Sequence, residues 1–122
     1  MNLCDKWLSG FYGRMPHENY TLLDRASRTL LSNIMRPAPG EKLPWHPWRG
    51  ITPSQIGFKG IWNWDSAFHA VGVSRWDAKL AQEQILMILE LQNQDGGLPD
   101  VLFADGKLVD NFGKPPVMPW AA

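Results

Sequence analysis

Three features are scarce in this 122-residue sequence: cysteine, long apolar runs, and an excess of charge of either sign. Cys4 is the single cysteine, which excludes a disulfide within the chain. No apolar run approaches the roughly 18 residues that a membrane span requires. Twelve basic residues balance twelve acidic ones without clustering, so the basic stripe typical of nucleic-acid or anionic-membrane binding is missing. We therefore expect a soluble protein with a neutral ligand, and neither nucleic acid nor membrane as a partner.

The first residues also lack the apolar core of a signal peptide, because Asp5 and Lys6 stand where that core would be. This favours the cytoplasm. The sequence has no Gly-rich phosphate loop and no serine in a nucleophile elbow. Its three histidines are not spaced as a zinc set, and Cys4 has no histidine beside it. We expect no cofactor and no metal.

Four aspartates recur every five residues and raise the question of a calcium site; they are Asp95, Asp100, Asp105 and Asp110. Their spacing fails the EF-hand pattern, in which ligands alternate at every second position and the loop ends in Glu. Turn formation explains them better.

Tryptophan and proline are abundant instead, with seven and ten copies. The length suits one domain with one modest core. Tryptophan offers a large rigid apolar face and one N–H donor, so it serves packing and recognition equally well.

The N-terminal third predicts an irregular segment followed by a helix. Residues 1–18 show no reliable period, and their breakers are Gly10, Gly13 and Pro16. The helix that follows has one polar side, and its apolar face holds Leu22, Leu23, Ala26, Leu30 and Ile34. Thr21 and Asp24 approximate a capping box at its start.

Residues 37–60 contain five prolines and four glycines, too many for a helix or an interior strand. The segment is either a long ordered loop or a linker. Because linkers are usually poor in aromatics and this one carries Trp45, Trp48 and Phe58, we favour a loop that packs against the domain and lines a site.

Two further helices are predicted. The first runs from about Ser66 to Arg75, with Asp65 or Ser66 as its cap, and is apolar on nearly every side, which indicates that other elements surround it. The second is capped by Asp77, and Glu83 belongs to its polar side. Gln84 falls within its apolar arc and must find a buried partner or face a polar pocket.

The break at Gly96-Gly97 ends this helix, and residues 101–109 then predict a short hairpin with Asp105-Gly106 in its turn. Lys114-Pro115-Pro116 prevents extension, and Trp120 lies where another helix could begin. The order of elements suggests consecutive α-hairpins stacked side by side, as in α/α toroids. The predicted fold class is all-α with one β-hairpin.

The stretch Trp62-Asn63-Trp64-Asp65 combines two aromatic faces with a carboxylate. Binding a sugar needs an aromatic platform for its C–H face and a charged acceptor for its hydroxyl hydrogens. Near a helix N-terminus, Asp65 would be favoured as the anion, which suits an acceptor better than a general acid. The alternative is that Asp65 is only an N-cap and the tryptophans are core. His69, one turn later, could form a structural pair with Asp65.

The run GIWNWDSAFHAVGVSRWDAKLAQEQILMILELQNQDGGLPDVLF, followed by KPPVMPWA, resembles the N-terminal part of the catalytic (α/α)6 barrel of glycoside hydrolase family 63 and its relatives, which include processing α-glucosidases and mannosylglycerate hydrolases. Roughly residues 57–122 carry the resemblance. It implies that Trp62, Trp64 and Asp65 line the subsite for the released sugar, and that Phe58 contributes to the same wall.

The resemblance also implies hydrolysis with inversion, by a general acid and a general base that flank a water. It places both carboxylates after the last residue of this sequence. Twelve helices of about 12 residues with loops of about 5 need roughly 200 residues. We therefore expect residues 1–122 to form a single incomplete domain, part of a toroid, that needs the remainder of the catalytic domain.

The predicted function is the N-terminal segment of an inverting, exo-acting α-glucosidase or α-mannosidase, which supplies part of the sugar-binding subsite and contains no catalytic residue. Its expected partner is a carbohydrate, an α-glucoside or an α-mannoside. Two alternatives stay open: a small Trp-rich carbohydrate-binding or interaction module without catalysis, and an inactive truncated remnant.

Overall fold

Helices and a small sheet make up the computed structural model, which describes residues 3–9 and 14–122. The helices are α1 (Leu3–Ser9), α2 (Tyr20–Ser32), α3 (Asn63–Val73), α4 (Ala78–Leu89) and α5 (Met118–Ala121), and a 3-10 helix spans His17–Asn19. The strands are β1 (Gly60–Trp62), β2 (Val101–Phe103) and β3 (Leu108–Val109). Among the described helices, none is both long and apolar enough to cross a bilayer.

The three strands form an antiparallel sheet in the order β1-β2-β3. The predicted hairpin is confirmed as β2 and β3, with Leu102 opposite Leu108. The expectation of an otherwise all-α chain is wrong for residues 60–62, because Ile61 also pairs with Leu102 across β1 and β2. A strand of three residues is too short to show a period, and its partner lies about 40 residues away in sequence, so local pattern gave no sign of it.

The core consists of two groups of buried apolar side chains, one at each end of the α3–α4 pair. One contains Trp45, Ile61, Ala67, Met87, Ile88, Leu102 and Met118. The other contains Ile51, Ala70, Val73, Leu80 and Ala81, with Leu30, Leu31 and Ile34 of the α2 region packed against it. Helix α3 packs against both α4 and α5, so it lies at the centre of the C-terminal half.

The N-terminal expectations need two corrections. Part of residues 1–18 is helical, because α1 packs against α2; the predicted breakers Gly10 and Gly13 lie outside the described residues. The capping box is also wrong: α2 begins at Tyr20, and Asp24 forms an ion pair with Arg28 at 2.9 Å. Because the helix already includes Thr21, this residue is not an N-cap. The Asp24 carboxylate instead pairs with the arginine one turn later.

The apolar face expected for α2 is buried only toward its C-terminal end. Leu30 and Ile34 pack on the core, whereas Leu22 is 69% exposed. The buried residue within the helix is Ser27, whose hydroxyl donates to the Leu23 carbonyl at 2.7 Å. That bond satisfies the buried hydroxyl within the helix itself.

The proline-rich segment is confirmed as an ordered loop packed against the domain, since Trp45 is 4% exposed. Its attachment to α4 is polar. Gln84 is fully buried: its carboxamide oxygen accepts from the Ile51 N–H at 2.9 Å, and its amide donates to the Arg49 carbonyl at 2.7 Å. The expectation of a partnered buried amide is therefore confirmed.

Helix α4 begins as predicted, with the Asp77 carboxylate accepting from the Leu80 N–H at 2.9 Å. The placement of Glu83 on the polar side is wrong, because it is 5% exposed and pairs with Arg49 at 2.7 Å. Arg49 also reaches Asp77 at 3.1 Å. A buried carboxylate needs such a partner, and the partner comes from a loop 34 residues away, which periodicity alone does not reveal.

Helix α3 differs from its prediction in two respects. It begins at Asn63, with Trp62 in the N-cap position and no side-chain cap, so Asp65 lies inside the first turn. It is also not surrounded on every side, since Phe68 is 51% and Val71 38% exposed. The small residues of α3, not its large ones, face the core.

Candidate carbohydrate-binding site

Trp62 closes strand β1, and its ring is held between two phenylalanines. The centroid distances are 5.5 Å to Phe58 and 5.8 Å to Phe103, both with edge-to-face geometry. The indole N–H donates to the Phe58 carbonyl at 3.2 Å. The structure therefore brings together two of the predicted site residues, Phe58 and Trp62, and adds Phe103 from the neighbouring strand.

Close backbone packing around strand β1 fixes the position of the Trp62 ring. A side chain at Gly60 would come within 2.8 Å of the Leu102 carbonyl oxygen, so the strand pair tolerates only glycine there. At the start of α3, the Asn63 amide donates to the Pro99 carbonyl at 2.8 Å, and its backbone N–H donates to the Asp100 carbonyl at 3.0 Å. These bonds fix the point where β1 becomes α3.

Trp64 belongs to a second aromatic group, which it forms with Phe68 and Trp120. Its ring lies 6.2 Å from that of Phe68, which lies 6.0 Å from that of Trp120. Trp64 is 38% exposed and Trp120 64% exposed. The two tryptophans of the motif thus belong to separate aromatic groups: Trp62 lies with Phe58 and Phe103, and Trp64 with Phe68 and Trp120.

Asp65 is the polar centre of the arrangement. Burial raises the pKa of its carboxyl above the ordinary value; its own backbone N–H, the Lys114 charge and a hydrogen bond from the Trp64 side chain act in the opposite direction. The expected stabilisation of the anion by the helix N-terminus is therefore outweighed by desolvation. A hydroxyl-rich ligand would restore the hydrogen bonds that burial has removed from this carboxyl.

Lys114 completes the site and was not predicted from the sequence. Its Nζ lies 5.5 Å from the centroid of the Trp62 ring and 5.8 Å from that of Phe112. From the sequence, a lysine before two prolines predicts only the end of an extended segment. The signal that could have pointed to Lys114 is its position in KPPVMPWA, a segment that carries the family resemblance.

Asp100 explains why Lys114 lies there. This aspartate is 2% exposed, and its carboxylate accepts from the backbone N–H groups of Phe112 at 2.5 Å and Lys114 at 3.1 Å. Turn formation, the expected role of the aspartates, is consistent with Asp105 as well, which accepts from the Lys107 N–H at 2.9 Å. Among the described residues, no group of His, Cys, Asp and Glu could hold a metal ion.

His69 is not a partner of Asp65. It is mostly buried and hydrogen bonds with the backbone of Ile51, and burial lowers its pKa from 6.5 to about 4. A structural pair between Asp65 and His69, the expected contact, is therefore replaced by a link between α3 and the proline-rich loop.

Cavities adjoin the site on two sides. One of about 280 Å³ is lined by Asn63, Asp100, Lys114 and the prolines that follow. Two more, of about 380 Å³ and 510 Å³, share Phe103 as a wall. Phe103 and Lys114, the two neighbours of the Trp62 ring, thus each line a cavity that a ligand can enter.

These side chains can bind and cannot by themselves carry out bond cleavage by paired carboxylates. Asp65 offers acceptors, Lys114 offers donors, and Trp62 and Phe103 offer apolar faces. The carboxylate of Asp100, which lines the cavity beside Lys114, is committed to two backbone N–H groups. The arrangement suits a compact polyhydroxylated ligand.

A family model described as "Mannosylglycerate hydrolase MGH1-like glycoside hydrolase domain" matches residues 59–122, slightly more than half of the chain. The match includes Trp62, Trp64, Asp65, Asp100 and Lys114, and begins one residue after Phe58. Neither the curated proteins nor the solved structures gave a match.

Proposed function

Because this chain belongs to the family of mannosylglycerate hydrolase MGH1-like glycoside hydrolase domains, we propose that it supplies part of the sugar-binding subsite of an inverting, exo-acting glycosidase. The substrate is an α-mannoside or an α-glucoside, and the family description favours the mannoside. The observation that carries the proposal is the half-buried Asp65 carboxyl, whose ionisation the Lys114 charge favours, together with the Trp62 ring that lies 5.5 Å from the Lys114 Nζ.

In this proposal each predicted residue has a defined task. Asp65 accepts hydrogens from hydroxyl groups of the sugar, and Trp62 contacts the C–H face of the ring, backed by Phe58. The Trp64 side chain favours the ionised form of the Asp65 carboxyl. The general acid and the general base come from the remainder of the catalytic domain, where they flank the glycosidic bond with a water between them.

The exposed apolar surface supports the partial toroid. Large apolar side chains are exposed on four of the described helices: Leu22 on α2, Phe68 and Val71 on α3, Leu86 and Leu89 on α4, and Trp120 on α5. Apolar surface of this kind on the outside of a helical layer is typical of positions that neighbouring helices cover. We propose that further α-hairpins of the same domain pack there.

Substitution of Trp62 tests the platform. We expect Trp62→Ala to lower kcat/KM for α-mannosides about 5- to 30-fold in the hydrolase that contains this chain, because the sugar loses its apolar contact. Trp62→Phe retains an aromatic face and lacks the N–H bond to the Phe58 carbonyl, so it should recover most of the rate. The measurement is steady-state hydrolysis of 4-nitrophenyl α-mannoside and α-glucoside.

Equal losses in the two variants would assign Trp62 a structural role through its N–H, and no loss in either would remove it from the site. The stereochemistry is tested separately by NMR of freshly formed product. Inversion gives the β-anomer first, and initial α-anomer would contradict that part of the proposal.

A further inference from the structure

The ammonium group of Lys114 is placed at the site without a bonded partner. Within the described part of the chain, its Nζ takes part in no ion pair and no hydrogen bond. Its neighbours are the faces of Trp62 and Phe112, at 5.5 and 5.8 Å. An aromatic face attracts a cation but is not a directional hydrogen-bond acceptor. The three N–H donors of the Lys114 ammonium group therefore stay available to a ligand.

The position of this ammonium group depends on a buried carboxylate. Asp100 accepts from the N–H groups of Phe112 and Lys114, and so fixes the backbone on both sides of Gly113. Gly113 itself has φ of 66°, the left-handed conformation that favours glycine. The turn that presents Lys114 is thus determined by the Asp100 carboxylate and by Gly113.

The Lys114 charge favours the ionised form of the Asp65 carboxyl, and the two side chains form no ion pair among the described residues. Lys114 also lines a cavity of about 280 Å³ together with Asn63 and Asp100, so it borders a space that a ligand can enter. A sugar hydroxyl in that space can accept a hydrogen bond from the ammonium group.

We propose that Lys114 is a specificity-determining residue that donates a hydrogen bond to one hydroxyl of the sugar at the Trp62 ring, and that Asp100 is the positioning residue for Lys114. The proposal rests on the sugar-binding function given above. It selects sugars in which that hydroxyl is free, and it makes the loop of residues 110–114 part of the subsite.

The test combines Lys114→Met with a set of monodeoxy sugars. The substrate is the 4-nitrophenyl α-glycoside that the hydrolase cleaves faster, together with its monodeoxy analogues. We expect Lys114→Met to lower kcat/KM about 10- to 100-fold on the parent glycoside, the effect of losing a hydrogen bond from a charged donor. On the one analogue that lacks the contacted hydroxyl, the loss should shrink to less than about threefold.

Lys79→Met is the matched control, because Lys79 is an exposed lysine of α4. It should leave every rate unchanged. A loss from Lys114→Met that is the same on all analogues would assign Lys114 to packing against Trp62, and no loss on the parent would remove it from the site. Either result overturns the proposal.

Asp100 is tested through its dependence on Lys114. Asp100→Asn keeps the size of the side chain and replaces one of the two acceptors by a donor, so the turn should shift and the rate should fall with the same dependence on the deoxy position. In the double variant with Lys114→Met the loss should be no larger than in Lys114→Met alone. Additive losses would show that Asp100 does not act through Lys114.

If Asp100→Asn fails to fold by circular dichroism, Gly113→Ala replaces it, since it strains the same turn where no side chain crowds the added methyl. The sugar-binding proposal is judged independently from Asp65→Ala on the same substrate. A loss there without a loss in Lys114→Met rejects the role of Lys114 alone, whereas no loss in Asp65→Ala rejects the sugar site itself.

Discussion

His69 shows how a single buried group links the helix of the site to the loop beneath it. Its hydrogen bond with the Ile51 backbone ties α3 to the proline-rich segment, and its Nδ1 is buried without a partner. Protonation would place a charge in that apolar setting. Since the pKa falls from 6.5 to about 4, the folded protein binds a proton less readily than the unfolded chain.

This shift predicts a loss of stability in mild acid. The contribution of neutral His69 is fully present above pH 6.5 and is lost as the pH falls toward about 4. Between pH 7 and pH 5 the free energy of unfolding should fall by about 2 kcal/mol from this group. The measurement is urea unfolding of the protein at both values. His69→Gln should remove most of that difference, and the exposed His46→Gln should not; an equal pH dependence in all three would show that His69 titrates normally.

At the scale of elements, the proline-rich loop holds its shape because α4 supplies the hydrogen bonds that its backbone lacks. Gln84 bonds with the Ile51 N–H, the Arg49 carbonyl and the Leu80 carbonyl. Arg49 is further bonded through its side chain to Glu83 and Asp77. The loop leads directly to Phe58 and Trp62, so its attachment to α4 sets the position of the aromatic wall.

Replacing this amide should destabilise the protein strongly. We expect Gln84→Leu to lower the free energy of unfolding by about 2–4 kcal/mol, because it leaves buried backbone groups of Arg49 and Ile51 unpaired. Gln82→Leu makes the same chemical change at an exposed position of α4 and should alter stability by less than about 0.5 kcal/mol. Urea unfolding of both variants provides the comparison; similar losses in the two would mean that the bonds of Gln84 contribute little.

The elements that could be predicted from the sequence are those with a strong local signal. The cap at Asp77, the hairpin turn at Asp105-Gly106 and the packed proline-rich loop all follow from residue chemistry at short range. Strand β1 and the burial of Glu83 depend on partners at least 34 residues away, Leu102 and Arg49. Such pairings are decided by tertiary packing, which periodicity does not encode.

The site residues show the same difference between local and long-range signals. The motif from Trp62 to Asp65 could be predicted because its aromatic and carboxylate side chains are neighbours in the sequence and together suit sugar binding. Lys114 could not, because it reaches Trp62 only through a turn fixed by Asp100. The roles of these residues in binding stay predictions, as does the role of Phe58.

At the scale of the whole molecule, the start of α3 carries two separate aromatic groups. The Trp62 ring contacts Phe103 and the Lys114 cation, each of which lines a cavity. Trp64, Phe68 and Trp120 form a second, exposed apolar group. In our account the first group faces the sugar, and the second is covered by neighbouring helices of the hydrolase domain.

The most direct test of that account is kcat/KM of Asp65→Ala in the hydrolase that contains this chain, with 4-nitrophenyl α-mannoside and α-glucoside as substrates. A buried, charged acceptor of sugar hydroxyls predicts a loss of about 2–4 kcal/mol in transition-state binding, roughly 30- to 1000-fold in rate. The exposed Asp95→Ala serves as the control and should keep the full rate. An unchanged rate in Asp65→Ala would contradict the assignment of the motif to sugar binding.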